Sequence, residues 1–415
     1  MKPRIVATLA SGLLVVSAMG ASAQSPAASM APETMAPMVS MEPGSSMAPG
    51  AIDSPAATLR TVLDLKLGEH IILALKATGA ALQGETEQFQ AYGTLLNTNG
   101  TDIGAMVGSV YGQDAAGAFN LIWSAHNGYF VDYTTAVATK DKKAAKKAVK
   151  NLTTKYVPDF SNFISGATGL PIDAVTSLIT DHVLQTKAVV DAQAAKDWPA
   201  VYAGVRTAYA HMQMFGDALA GAIVAKFPDV IAGDPNTKAV DFRVALNQLL
   251  QEHLYLATFA TDAALEGRGK EATAAIGALS TNGTDVGGAI GSPFGTDAQD
   301  AFNTIWSAHN GFFVDYTTGV GTKDQTKQDQ AVSDLTTIYV PQFAQFLSGA
   351  TGIPVDALTT LITDHVLTTK AVVDAQAGTD AAAAAAADLL AAQHMQMIGD
   401  PLAAAIVASL PASFQ

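Results

Sequence analysis

The chain contains itself twice. Trp123-Ser124-Ala125-His126-Asn127-Gly128-Tyr129-Phe130-Val131-Asp132-Tyr133 returns almost letter for letter as Trp306-Ser307-Ala308-His309-Asn310-Gly311-Phe312-Phe313-Val314-Asp315-Tyr316, 183 positions later. That period divides 415 residues into two units of ordinary domain size, each long enough to bury a core of its own. The histidines obey it without exception: His70 pairs with His253, His126 with His309, His182 with His365 and His211 with His394. All eight histidines are therefore four histidines used twice.

Cysteine is absent. This excludes disulfides, thiolate zinc sites, a thiol nucleophile and covalent haem attachment. Residues 1–23 read as an export signal: Lys2 and Arg4 start it, Ile5 to Met19 is mostly apolar, and Ala21-Ser22-Ala23 is a small-residue cleavage site. Its removal takes the formal charge from −14 to −16. An exported acidic protein suits cations better than nucleic acid or anionic lipid. No later apolar run suggests a membrane span.

Residues 24–54 are rich in Ser, Pro, Ala, Gly and Met and read as a disordered tether, with Met30, Met35, Met38, Met41 and Met47 as soft groups able to hold Cu(I) weakly. The repeats follow at 55–232 and 233–415, with Gly233-Asp234-Pro235 as a short hinge.

Apolar residues recur at helical spacing throughout, and the strand signal is weak, so each unit is expected to be an all-α bundle of four long helices plus short connecting ones. Ser54-Pro55 and Thr237 mark equivalent helix starts. The first helix carries Leu59, Leu63, Leu67, His70, Ala74 and Ala77 on one face. A shorter helix is expected from Glu85 to about Leu96, then a turn at Asn99-Gly100-Thr101-Asp102. The third helix buries Phe119, Trp123, His126, Phe130 and Tyr133; Pro171 and Asp197 open the helices of His182 and His211. The lysine-rich segment 140–150 reads as a solvated helix face, because the second copy carries much less positive charge there. Pro401 predicts a kink or break in the last helix.

Each long helix thus bears one histidine near its middle, on its apolar stripe. Mid-helix residues of an antiparallel bundle share one level, so four imidazoles per unit can converge on one metal ion. The candidate ligands are His70, His126, His182 and His211 with His253, His309, His365 and His394. Met214 and Met397, from two copies of His-Met-Gln-Met, are candidate soft ligands. Glu69, Asp181, Glu252 and Asp364 each precede a histidine and are candidates to orient it. Imidazole and thioether without thiolate favour copper first and zinc second. No Glu-x-x-His pair supports a di-iron site, and no phosphate loop, nucleophile elbow or His-Glu-x-x-His helix occurs. Binding or buffering is therefore expected rather than catalysis. Two readings stand beside it. One is a structural or interaction module whose histidines pair with carboxylates and whose tether meets an envelope partner. The other is a bundle holding non-covalent haem.

Leu67-Gly68-Glu69-His70, the stretch Phe119 to Tyr133, Asp181-His182 and Ala210-His211-Met212 together resemble a group of exported bacterial helical proteins without established activity. The resemblance spans both repeats and implies a helical fold and export, but no mechanism. Some of these sequences carry copper amine oxidase labels. The Asn-Tyr motif from which that enzyme family makes its quinone does not occur here, so the activity is not implied.

Overall fold

Ser54 accepts a hydrogen bond from the Ala57 amide at 3.1 Å and Pro55 occupies the first helical position, so the first helix starts where Ser-Pro predicts. The computed structural model describes residues 52–415. The expected signal segment, and the tether with its methionines up to residue 51, lie outside the described residues. Among the described residues the secondary structure is helical, with no strand. The first repeat comprises α1 (Pro55–Gln83), α2 (Thr86–Tyr111), α3 (Gln113–Ala138), α4 (Lys142–Asn151), α5 (Val157–Thr168), α6 (Ile172–Ala195) and α7 (Trp198–Lys226). The second repeats the order as α8 (Lys238–Leu265), α9 (Gly269–Phe294), α10 (Thr296–Thr322), α11 (Gln325–Asp334), α12 (Val340–Thr351), α13 (Val355–Gln376) and α14 (Ala381–Ser409). No described helix is long and apolar enough to cross a membrane.

Two local expectations are corrected. The turn at Asn99–Asp102 is the interior of α2, which runs on to Tyr111. Asn99 is buried there and donates to the Lys66 carbonyl and to Glu69 Oε1, both at 2.9 Å. Gly100 lets the Trp123 indole approach so closely that a Cβ would lie 2.7 Å from it. Tertiary contacts thus took two turn-forming residues into a helix. At the other end of the chain, α14 continues through Pro401 without a break. The peptide amide that proline lacks would have faced the carbonyl of Met397, an exposed residue, where water can serve instead.

The two repeats share one continuous apolar core. Helices α1 and α8 are buried on nearly every face and pack against each other. A helix buried on every face, its polar groups included, has to be enclosed by other elements, so each repeat covers the other's first helix. The remaining cross-contacts exchange in kind, α2 with α14 and α9 with α7, as an isologous two-fold relation requires. Arginine completes the symmetry. Arg60 reaches Asp217 in its own repeat, then the Pro235 carbonyl and Asp241 in the other. Arg243 reaches Asp400, then the Ile52 carbonyl and Thr58, which are the same three partner positions exchanged.

Other contacts break the symmetry. Lys76 of α1 is buried, with Nζ 2.6 Å from Asp388 of α14, 2.9 Å from Thr258 Oγ1 and 4.5 Å from the Phe259 ring centroid. Burying a charge pair costs desolvation of both ions, and removing one partner leaves the other uncompensated. We therefore expect Lys76→Met to lower unfolding free energy by roughly 3–5 kcal/mol and Lys76→Met/Asp388→Leu to recover most of it; urea denaturation of the two variants measures this.

Asp64, fully buried, has no hydrogen-bond partner on either oxygen. Burial, and then the nearby Asp217 charge, push its carboxyl well above the usual range. Its counterpart Asn247 donates to Asp400 at 2.8 Å, a bond that a protonated Asp64 can imitate toward Asp217. A carboxyl whose pKa is raised on folding loses stabilising power as pH climbs above its unfolded value of 3.8. Asp64→Asn should therefore raise the melting temperature by several degrees at pH 7 and by progressively less toward pH 4. A pH-independent shift would contradict a protonated Asp64.

Candidate metal centre

His70 sits on α1, His126 on α3 and His182 on α6, in each case on the stripe that the helix turns to the core. One nitrogen from each lies within 4.8 Å of one nitrogen of each of the others. His253, His309 and His365 repeat the arrangement on α8, α10 and α13. In the first repeat the ring centroids are 5.4, 6.1 and 6.3 Å apart. Three nitrogens bound tetrahedrally to copper or zinc at about 2.0–2.1 Å would stand roughly 3.4 Å apart, so rings whose nitrogens lie within 4.8 Å of one another need close by no more than about 1.4 Å to hold an ion.

Hydrogen bonding has already chosen a tautomer for one ring in each set. His126 Nδ1 lies 2.5 Å from the Trp123 carbonyl, and His309 Nδ1 2.5 Å from the Trp306 carbonyl. A carbonyl can only accept, so Nδ1 carries the proton and Nε2 keeps its lone pair. Aromatic rings fix the planes. Tyr156 stacks on His126 with centroids 4.5 Å apart, Tyr339 stacks on His309 at 4.6 Å, and Trp123 lies 4.5 Å from His70. Both tyrosines end five-residue π-helical stretches, Leu152–Tyr156 and Leu335–Tyr339, between the short helices. Such bulges turn a side chain away from the α-helical phase.

The sequence reading did not single out these tyrosines, although they share the 183-residue offset. Asn99 and Asn282 it placed only in a repeated turn. Asn282 donates to Glu252 at 2.8 Å, and its Oδ1 has no partner at hydrogen-bond distance. His253 Nδ1 is equally unpartnered, yet Asn282 lies close enough to favour the protonated ring.

The other predicted site residues stand elsewhere. His211 Nε2 donates to the Leu178 carbonyl at 2.8 Å and His394 Nε2 to the Leu361 carbonyl at 3.3 Å, so the fourth pair ties α7 to α6 and α14 to α13. Met214 and Met397 are each 60% exposed. Asp181 and Asp364 are exposed as well. Glu69 is buried but accepts from Lys66 and Asn99, and Glu252 from Arg206 and Asn282. No imidazole of the described residues is hydrogen-bonded to a carboxylate, so the expected His–carboxylate core networks are not what these residues form.

Burial sets the charge state. Desolvation lowers His126 to about 4 and His182, His253 and His365 to about 3, while His70 and His309 fall well below their ordinary value of 6.5. The neighbouring rings of each set add mutual repulsion for most of them. All six are neutral lone-pair donors at pH 7, the form in which imidazole binds a metal.

The surroundings of the two sets differ. The first opens on a cavity of about 40 Å³, whereas the second ends a cavity of about 420 Å³. No protein-family model, curated protein or solved structure matches the chain.

The neutral rings have a measurable consequence. Between pH 6.5 and about 4 the unfolded chain takes up protons that these folded histidines refuse, so metal-free protein loses stability as pH falls through that window, by about 1.4 kcal/mol per histidine per unit. Urea midpoints of metal-free protein at pH 7, 6 and 5 should drop steeply. A flat profile would mean that the rings are already charged or accessible.

Proposed function

We propose that each repeat binds one transition-metal ion, copper first and zinc second, through three buried imidazoles, and that the protein binds or buffers the metal rather than catalysing with it. The observation that carries this reading is the convergence, in both copies, of neutral nitrogens from three separate helices. Buried polar atoms ordinarily find partners. His70 Nδ1 and His253 Nδ1 have none at hydrogen-bond distance, and a cation among the lone pairs would satisfy rings that the core alone leaves wanting.

The donor set is narrower than four histidines and methionine, because His211, His394, Met214 and Met397 are engaged or exposed elsewhere. Thioether ligation therefore no longer argues for copper. What favours it is the general affinity order at nitrogen sites, which puts Cu²⁺ above Zn²⁺. Three imidazoles suit either ion and leave a fourth position open. In this reading His70, His126 and His182, with His253, His309 and His365, hold the ion. Trp123 and Tyr156, with their counterparts, orient the rings.

The haem alternative requires a flat slot between two opposed imidazoles. The space beside the first set is about 40 Å³, which a porphyrin exceeds, so haem does not account for a histidine set present in both repeats even though the second adjoins about 420 Å³. A purely structural role has lost the carboxylate partners that would have supported it. The proposal that this binding occurs after export rests on residues 1–23 alone.

Metal analysis of the chain, purified without a metal-binding tag, should find about two equivalents of copper or zinc, or take them up on titration. His126→Ala/His309→Ala should lose both while retaining helical circular dichroism. Protein that takes up neither ion would overturn the reading.

A further inference from the structure

The two repeats have diverged at one place that bears directly on the imidazole sets. In the first repeat Phe89 of α2 lines the small space beside the imidazoles, together with Ala77 and Val131. The equivalent residue of α9 is Ala272, while Ile276 stands where the first repeat has Gly93. Where Phe89 would lie, the counterparts of Ala77 and Ala81, namely Ala260 and Ala264, line open space. Gly321 replaces Ala138 and removes another methyl, whose carbon would lie 3.7 Å from Leu265. Val314, the counterpart of Val131, is 47% exposed at the rim, and Ile276 is 41% exposed beside it.

The result is the cavity of about 420 Å³ that runs from this rim to His253, His309 and His365, within the size range of small-molecule sites. Its first-repeat counterpart, at about 40 Å³, has room only for water. No Asp, Glu, Lys or Arg lines the large cavity. The hydroxyls of Thr261, Thr317, Thr318 and Thr322 already donate within the protein. Thr258 donates to the Tyr255 carbonyl as well, so among the described residues the polar groups left to meet a ligand are the imidazoles at the inner end, the Thr369 hydroxyl 3.5 Å from His365 Nδ1 and the half-buried Asn310 carboxamide.

We propose that the second repeat binds a small amphiphile, a medium-chain monocarboxylate, with its tail in this cavity and its carboxylate on the metal held by His253, His309 and His365, while the first repeat is sealed. This rests on the metal reading above. A carboxylate entering walls without a cationic side chain finds its countercharge only at a bound ion. The open fourth position of a three-imidazole site is where it would coordinate.

The test is calorimetric titration of metal-loaded protein with sodium octanoate, with metal content measured on the same samples. One equivalent of octanoate should bind per chain holding two metal equivalents, and 1-octanol should bind at least tenfold more weakly. Ala272→Phe should abolish octanoate binding with metal content unchanged. Because Ala272 is buried, Gly321→Phe, at an exposed helical position, fills the same space independently. Phe89→Ala should create a second octanoate equivalent. Metal-replete protein that ignores octanoate, binding that survives both filling variants, or octanol binding as tightly as octanoate would each overturn the proposal. Absence of metal from these samples would instead overturn the metal reading, and this proposal with it.

Discussion

Everything in this molecule depends on α1 and α8 being buried on nearly every face. A helix buried all round must be enclosed by other elements, and one repeat supplies only part of the enclosure. The repeats therefore close over each other's first helices. The reciprocal arginines make that packing specific, since Arg60 and Arg243 each link an aspartate of their own repeat to the start of the other. The buried Lys76–Asp388 pair belongs to the same seam. Its counterpart positions hold Phe259 and Val205, so the two-fold relation is approximate and each half has become committed to its place.

The same enclosure produces the chemistry of the histidines. An imidazole in water is half-charged near pH 6.5, but at the centre of two interlocked repeats the charged form loses its solvation and the neutral form prevails. Three such rings at one level are costly to assemble unless something uses their lone pairs. His70 and His253 come from the most enclosed helices, which explains why the two sets lie close to the seam. The two repeats differ in what surrounds the sets: α2 places Phe89 beside the first, where α9 has only Ala272.

Much of this was legible in the chain. The 183-residue period, the helical spacing and the caps at Ser54, Thr237 and Asp197 follow from local rules, and the helices begin where those rules put them. The inward direction of Phe119, Trp123, His126, Phe130 and Tyr133 follows from periodicity alone. Asn99-Gly100 misled, because a turn signal is a weak local preference and packing against Trp123 overrides it. His211 was indistinguishable from His70 by stripe and level. Helix rotation of a few tens of degrees decides which neighbour an imidazole meets, and His211 meets the Leu178 carbonyl.

The sequence by itself determined two similar helical halves and the burial of eight histidines, because periodicity and an exact offset are properties of the chain. Tertiary structure alone decided that six of the eight converge, that Met214 and Met397 face solvent, and that one set is sealed while the other lies open. Those outcomes depend on helix phase, on the π-helical stretches that bring Tyr156 and Tyr339 onto the rings, and on whether a phenyl ring or a methyl group fills a gap between helices. Each is a matter of ångströms between residues far apart in the chain, and spacing along the chain carries no measure of them.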